Sequence, residues 1–329
     1  MQSDKTRALV SRISDRFWLA DGGLETTLIF HHGIDLPHFA SFPLLRSQNG
    51  RARLGDYFEG YLDAARTHGA GFVLDTATWR SGQGWGAIMG LSPEEIDAVN
   101  RDAVDFARGI ASSPAAAGVH IVINGAVGPH GDAYAPDRLL DAAEAEDIHG
   151  RQVRTLARAG VDLVTATTIA NAAEGIGIAR AAIRADVPVA ISFTVETDGR
   201  LITGQALGEA IAETEAATHG GVAWYGVNCA HPDHFRGVLD GEWLGRIGMI
   251  RANASRRSHA ELDESTELDA GDAAELAGDY RALMAVLPAL RVFGGCCGTD
   301  VSHIAAIGQS CVAHDHTARD HGKGLAIAG

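Results

Sequence analysis

No stretch of this 329-residue chain approaches the roughly 18 consecutive apolar residues that a membrane-spanning helix requires. Its N-terminus, Met1 to Ser11, is polar and charged where a secretory signal would be apolar. Both absences argue for a soluble, cytoplasmic protein without a membrane partner. Runs of Lys and Arg are missing too, and the net charge is −15. That excludes nucleic acid as a partner, because phosphate recognition needs basic patches. No linker or low-complexity segment divides the chain, so residues 1–329 are expected to form a single domain. Cysteine is scarce. Four residues in a reducing compartment do not make a disulfide framework, so their positions point to metal binding or catalysis.

What the chain does have is apolar material, 46% of its residues, in a regular alternation. Short runs rich in Val, Ile and Phe alternate with longer amphipathic stretches, the pattern of repeated strand-helix units with parallel strands. Eight strands are predicted at 17–20, 71–75, 120–124, 162–166, 187–193, 224–227, 247–250 and 291–293. Helices are predicted at 56–68, 93–110, 145–159, 172–185, 208–219, 233–239, 273–287 and 301–313. Gly69, Gly160 and Gly220 supply helix C-caps, while Ser92-Pro93 and Asp300 supply helix starts. Eight such units fit a closed (β/α)8 TIM barrel, which leaves no strand edge exposed. An open doubly wound sheet is the alternative. Residues 22–55 and 255–272 read as long loops, and the tail from His314 as frayed.

In a barrel of this kind the chemistry sits at the C-terminal ends of the strands. Cys229 ends the sixth strand in Gly226-Val227-Asn228-Cys229, and Cys296 and Cys297 end the eighth in Phe293-Gly294-Gly295-Cys296-Cys297-Gly298-Thr299. Three thiolates can hold Zn2+ and leave a fourth tetrahedral position open, as catalytic sites do. Adjacent residues of a regular strand point to opposite faces, so Gly294, Gly295 and Gly298 are expected to let both sulfurs turn inward. Ordinary buried thiols and a redox-active vicinal disulfide remain the alternatives. Cys311, in the last helix, reads as packing. His31, His32, His314 and His316 read as solvated.

Asp21-Gly22-Gly23-Leu24-Glu25-Thr26, Gly226-Val227-Asn228-Cys229, the vicinal-cysteine segment, and Ser192 to Leu201 in the fifth unit together resemble the homocysteine S-methyltransferase family. The likeness runs from about Phe17 to Ile307. It implies a barrel whose zinc is held by Cys229, Cys296 and Cys297, with the acceptor thiol taking the open position. A free thiol with a pKa of about 8.5 is mostly protonated at neutral pH, and zinc removes that proton. The family's acceptor-binding loop matches Asp21, Gly22 and Gly23, with Glu25 beside them. Asp21 suits an ammonium group. Thr76, Thr78 and Asn228 are further acceptor contacts. The rings of Trp79 and Trp85 suit a methyl-onium donor through cation–π attraction. Asn253 either orients a ligand or braces a loop.

One position departs from that pattern. Where the family carries a Glu at the end of strand four to grip the amino group of homocysteine, this chain has Thr167, and a neutral hydroxyl cannot make the same charge-assisted bond. Asp21 and Thr167 are therefore the candidate catalytic positions, and Glu174, Glu196 or Asp75 the candidate replacements for the missing carboxylate. Asp75 and Arg80 also depart from the family's neutral residues. The predicted activity is transfer of a methyl group from a sulfonium or betaine donor to a thiol, homocysteine giving methionine, with another thiol or a selenol as alternative acceptor. A vicinal-dithiol redox protein and a zinc-bearing binding protein without turnover are the competing readings. The exposed barrel surface is compatible with a homo-oligomer.

Overall fold

The structure, a computed structural model, describes residues 1–312. The expected helix end at Ala313, the tail from His314 and the residues His314 and His316 lie outside the described residues. The eight apolar runs form parallel strands: β1 (Trp18–Ala20), β2 (Gly71–Asp75), β3 (Ile121–Val127), β4 (Leu163–Ile169), β5 (Val189–Phe193), β6 (Trp224–Asn228), β7 (Ile247–Ala252) and β8 (Val292–Gly295). They pair in chain order, and β8 returns to β1 through Trp18↔Val292 and Leu19↔Phe293. The sheet is a closed barrel, so the open alternative is excluded.

Both faces of these strands are covered, which is why they read as continuous apolar runs. Alternate residues divide into two clusters. Leu19, Phe72, Leu74, Ile191 and Phe193 join the large cluster that includes helix residues such as Leu54, Leu62, Leu156 and Ile178. Trp18, Val73, Val122, Leu163, Trp224 and Val292 meet Leu9 and Ile13 instead. Those two residues belong to a helix, Asp4–Ser14, that sequence reading registered only as polar. Ser3 caps it, accepting from the Thr6 N–H, and the Trp18 indole donates to the Ile13 carbonyl at 3.2 Å.

The outer helices follow the expected pattern with shifted ends. Gln48–Thr67 begins well before residue 56, capped by Ser47. After β6 only Pro232–Phe235 is α-helical. The segment after β1 is compact, beginning with the turn Leu24–Thr26, and the one after β7 contains His259–Asp263. Gly69, Gly160 and Gly220 adopt positive φ as helix ends require, and Ser92 and Asp300 cap the helices they precede. No helix among the described residues is long and apolar enough to cross a membrane. Two irregularities interrupt the barrel, one at the C-terminal end of β4 and one toward the start of β6 and β7. The β4 register slips between Ala166 and Ile169, and the β6–β7 register slips between Tyr225 and Gly226.

Candidate active site

The barrel brings three sulfurs together at its C-terminal end. Cys229 Sγ lies 2.9 Å from Cys296 Sγ and 3.6 Å from Cys297 Sγ. Cys229 gets there by an unusual backbone conformation: its φ is +57°, left-handed for a residue with a Cβ. Its N–H donates to the Arg251 carbonyl, and its own carbonyl accepts from Asn253 Nδ2 at 3.0 Å. Asn253 therefore braces the cysteine.

The vicinal pair lies just past the end of β8, where strand alternation no longer applies. Cys296 N–H donates to Ala252 O, the Cys297 carbonyl accepts from Ala254 N–H, and both the N–H and the hydroxyl of Thr299 donate to the Cys296 carbonyl. Only Gly298 has the positive φ expected of a freely turning glycine. Gly295 matters for space, since a Cβ there would collide with Thr299 Oγ1. Cys311 is buried apart from the trio, as expected of a packing residue.

Burial and mutual hydrogen bonds set the thiol acidities. Cys229 accepts from both neighbours, which holds its pKa well below the ordinary thiol value. Donating to Cys229 pushes Cys296 up to about 12 and Cys297 up as well. A tetrahedral ion with sulfurs about 2.3 Å away needs sulfur–sulfur separations of about 3.8 Å. The Cys229–Cys297 pair is near that value, and Cys229–Cys296 reaches it by opening less than about 1 Å. An all-sulfur donor set favours zinc over the hard divalent cations. These residues fit the metal.

The sulfurs open into a cavity of about 750 Å3 including its mouth. Of the residues singled out in the sequence, Asp21, Gly22, Gly23, Glu25, Thr76, Trp79, Thr167 and Asn228 line it, whereas Thr78 does not. The Thr78 hydroxyl is bonded to Thr76 at 2.7 Å and to the Ala126 carbonyl at 2.7 Å, so it shapes the wall from behind. Thr167 sits in the β4 irregularity, with its carbonyl 3.5 Å from the Trp79 indole nitrogen. The guanidinium of Arg80 lies over the rings of both Trp79 and Trp85, 4.1 and 3.9 Å from their centroids. A protein cation already uses those aromatic faces, and Trp85 does not line the cavity.

Sequence reading missed the charge that organises the floor. Arg251 of β7 is buried and donates to the carboxylates of both Asp21 and Asp75, and more weakly to the Gly295 carbonyl. One guanidinium cannot neutralise two buried carboxylates. Asp21 is raised from 3.8 to about 7, by burial first and by the charge of Asp75 second, against the pull of Arg251 and a 3.0 Å bond from Tyr57. Arg251 itself is held firmly charged by the same two acids, burial opposing them. The available signal was the pair of acids at neighbouring strand ends, which called for a cation. Tyr134 was missed as well. Its buried hydroxyl makes no geometrically good hydrogen bond among the described residues but lies near enough to Cys229 to favour that thiolate, its ring stacks on His259 at 3.7 Å, and its pKa is raised by burial first and then by the charge of the cysteines.

Two of the expected carboxylate replacements are elsewhere. Glu174 accepts from His149 Nε2 at 2.9 Å and from the His130 N–H at 2.7 Å, and neither it nor Glu196 lines the cavity. Asp75 does line it, already paired with Arg251. A second group of metal-type ligands, His231, Asp233 and Asp279, is neutralised by Arg236 and Arg256.

Comparison with known proteins points the same way. The sequence profile of the family described as homocysteine S-methyltransferase matches residues 18–311. Homocysteine S-methyltransferase 4 of Zea mays is 25% identical over 318 residues, covering 89% of this chain and 88% of its own. Among solved structures, the oxidized form of the homocysteine methyltransferase MmuM from Escherichia coli superimposes with a TM-score of 0.74 at 23% identity, covering 93% of this chain and 99% of that one. Its metallated form gives 0.71 at 21% identity with the same coverage. At that identity these structures bear on the fold.

Proposed function

The chain belongs to the homocysteine S-methyltransferase family, and from that membership we propose that it is a zinc-dependent enzyme moving a methyl group from a sulfonium or betaine donor to a thiol. Homocysteine, yielding methionine, is the leading acceptor, and selenol acceptors fit the same chemistry. The observation that carries this reading is the convergence of Cys229, Cys296 and Cys297 at one end of a substrate-sized cavity. A vicinal redox pair would leave Cys229 idle, yet Cys229 is the sulfur that bonds to both others.

Cys229, Cys296 and Cys297 would hold the zinc, which when bound supplies the positive charge that keeps an acceptor thiol ionised at neutral pH. The protein residues do the rest. Methyl transfer between two bound molecules needs sulfur and methyl carbon aligned and water kept out, and requires no general base once the thiol is ionised. Asp21, Gly22 and Gly23 form one wall; the Gly23 N–H is spent on the Thr299 carbonyl, so this wall offers shape and the Asp21 charge. Thr76, Asn228 and Thr167 contribute polar groups to the cavity lining, and the ring of Trp79 adjoins Thr167. Arg251 offsets part of the acidic charge beneath the acceptor. Donor and acceptor both carry positive groups that this acidic cavity suits. The four free thiols support a reducing, cytoplasmic location, and the unbroken strand order supports a single domain.

The test combines metal analysis with turnover. Purified protein is expected to carry about one zinc per chain and to methylate homocysteine or another thiol from at least one of S-methylmethionine, S-adenosylmethionine and glycine betaine. Protein with full zinc and no transfer across that panel would refute the enzymatic reading. Metal-free protein cycling a Cys296–Cys297 disulfide would favour the redox one.

A further inference from the structure

With Thr167 standing where a carboxylate would grip an amino group, the cavity must recognise an amino-acid thiol by another route or not at all. Three carboxylates face it: Asp21, Asp75 and Glu25. Asp21 and Asp75 share Arg251. Glu25 is different. Its one side-chain donor among the described residues is Ser41, whose hydroxyl reaches Oε1 at 2.9 Å, and no described Arg or Lys forms an ion pair with it. The guanidinium of Arg80 is engaged by two indole rings and, though near enough to attract Glu25, forms no ion pair with it. A half-buried carboxylate without an ion-pair partner loses solvation that nothing charged repays, and desolvation accordingly raises its pKa.

The position of Glu25 suits a ligand whose sulfur is at the cysteines. It lies in the turn Leu24–Thr26, which Gly23 allows to press against the cysteine turn: a Cβ on Gly23 would stand 2.6 Å from the Cys296 carbonyl. The thiol of Cys296 is close enough to be felt by the Glu25 carboxyl. An acceptor anchored by its sulfur therefore has a carboxylate in need of a cation within the same cavity.

We propose that Glu25, not a residue of β4, receives the ammonium group of an amino-acid thiol acceptor, which makes Glu25 the residue that selects aminated over plain thiols. This rests on the thiol-transferase reading above. Ser41 acts as a positioning residue that keeps Oε1 occupied and orients Oε2.

Calorimetric titration of the zinc-loaded full chain with L-homocysteine and with 4-mercaptobutanoate, the same molecule without its amino group, tests this directly. The wild type should prefer homocysteine by roughly 10- to 100-fold, the range of a charge-assisted bond. Glu25→Gln should erase that preference by weakening homocysteine alone, and Glu25→Asp should keep part of it. Should Gln not fold, Glu25→Leu serves the same purpose. A merely structural Glu25 would weaken both thiols alike, and that result, or a preference surviving Glu25→Gln, overturns the proposal. Equal binding of both thiols by the wild type overturns it while sparing the thiol-transferase reading. Failure of both to bind sinks that reading and the proposal with it.

Discussion

Asn228 holds Thr168 by two bonds at once. Its Oδ1 accepts the Thr168 N–H at 2.8 Å, and its Nδ2 donates to the Thr168 hydroxyl at 2.9 Å. Thr168 has a φ of +62° and Cys229, the next residue after Asn228, one of +57°. One amide thus ties a left-handed residue of β4 to the chain immediately before a second one, just past the end of β6. Strained backbone persists where its surroundings over-determine it, and here the strain aims Thr167 and Cys229.

Asn228→Ala removes both bonds and leaves the buried Thr168 N–H and hydroxyl without partners. The expected cost is about 2–4 kcal/mol, read as a lowered denaturation midpoint in urea. Zinc affinity should fall as well, because Cys229 loses its adjacent brace. An unchanged midpoint would mean that the left-handed turns are held by something else.

Replacing the thiols one at a time separates ligands from packing. Cys229→Ser, Cys296→Ser and Cys297→Ser should each lower zinc content and abolish methyl transfer. Cys311→Ser should keep both activities of the site, metal binding and transfer, while costing about 1–3 kcal/mol for a hydroxyl in an apolar position. Plasma emission analysis of the purified variants checks this, and full zinc in Cys229→Ser would exclude the three-cysteine site.

Much of the fold is readable from the sequence because it depends on local pattern. Eight apolar runs, their glycine-terminated helices and the three cysteines at strand ends all survive into the structure. The Asp4–Ser14 helix escaped because its few apolar residues, Leu9, Val10 and Ile13, stand among charges, and its value comes from packing against inward-facing strand residues that no local pattern reveals. Arg251 escaped for the opposite reason. An Arg at the end of an apolar strand looks like a strand terminus until the fold sets Asp21 and Asp75 beside it. The competition for Trp79 and Trp85 by Arg80 is likewise a matter of side-chain placement. Spacing shows which residues converge and hides what each of them pairs with.

Two glycines should respond to a methyl group with opposite signs. Gly295→Ala forces a Cβ into Thr299 beside the cysteine turn, with an expected loss of about 1–3 kcal/mol and weakened zinc binding. Gly55 lies within Gln48–Thr67 with nothing near its would-be Cβ, so Gly55→Ala should stabilise by about 0.5–1 kcal/mol. Thermal melts of the pair decide it.

Asp21 should give the protein a distinctive pH response. Unfolded, its carboxyl loses its proton near 3.8; folded, burial delays that to about 7. The folded state therefore holds the extra proton between those values, and the Asp21 contribution to stability is full below about 4 and is lost as pH rises to about 7. Asp21→Asn should remove this downward slope, at most about 1.4 kcal/mol per pH unit, in urea titrations from pH 4 to 8. Matching slopes in variant and wild type would place the Asp21 pKa near its ordinary value.

The seam between β8 and β1 carries a consequence for how the molecule is made. Cys296 and Cys297 follow the strand that closes the barrel, and Cys229 follows the sixth. A nascent chain on the ribosome can pair β1 through β7 in order, yet until β8 emerges it has an open edge and only one of the three cysteines. Closure and convergence of the three sulfurs are then one event, so on the zinc reading proposed above only the finished barrel would hold the ion.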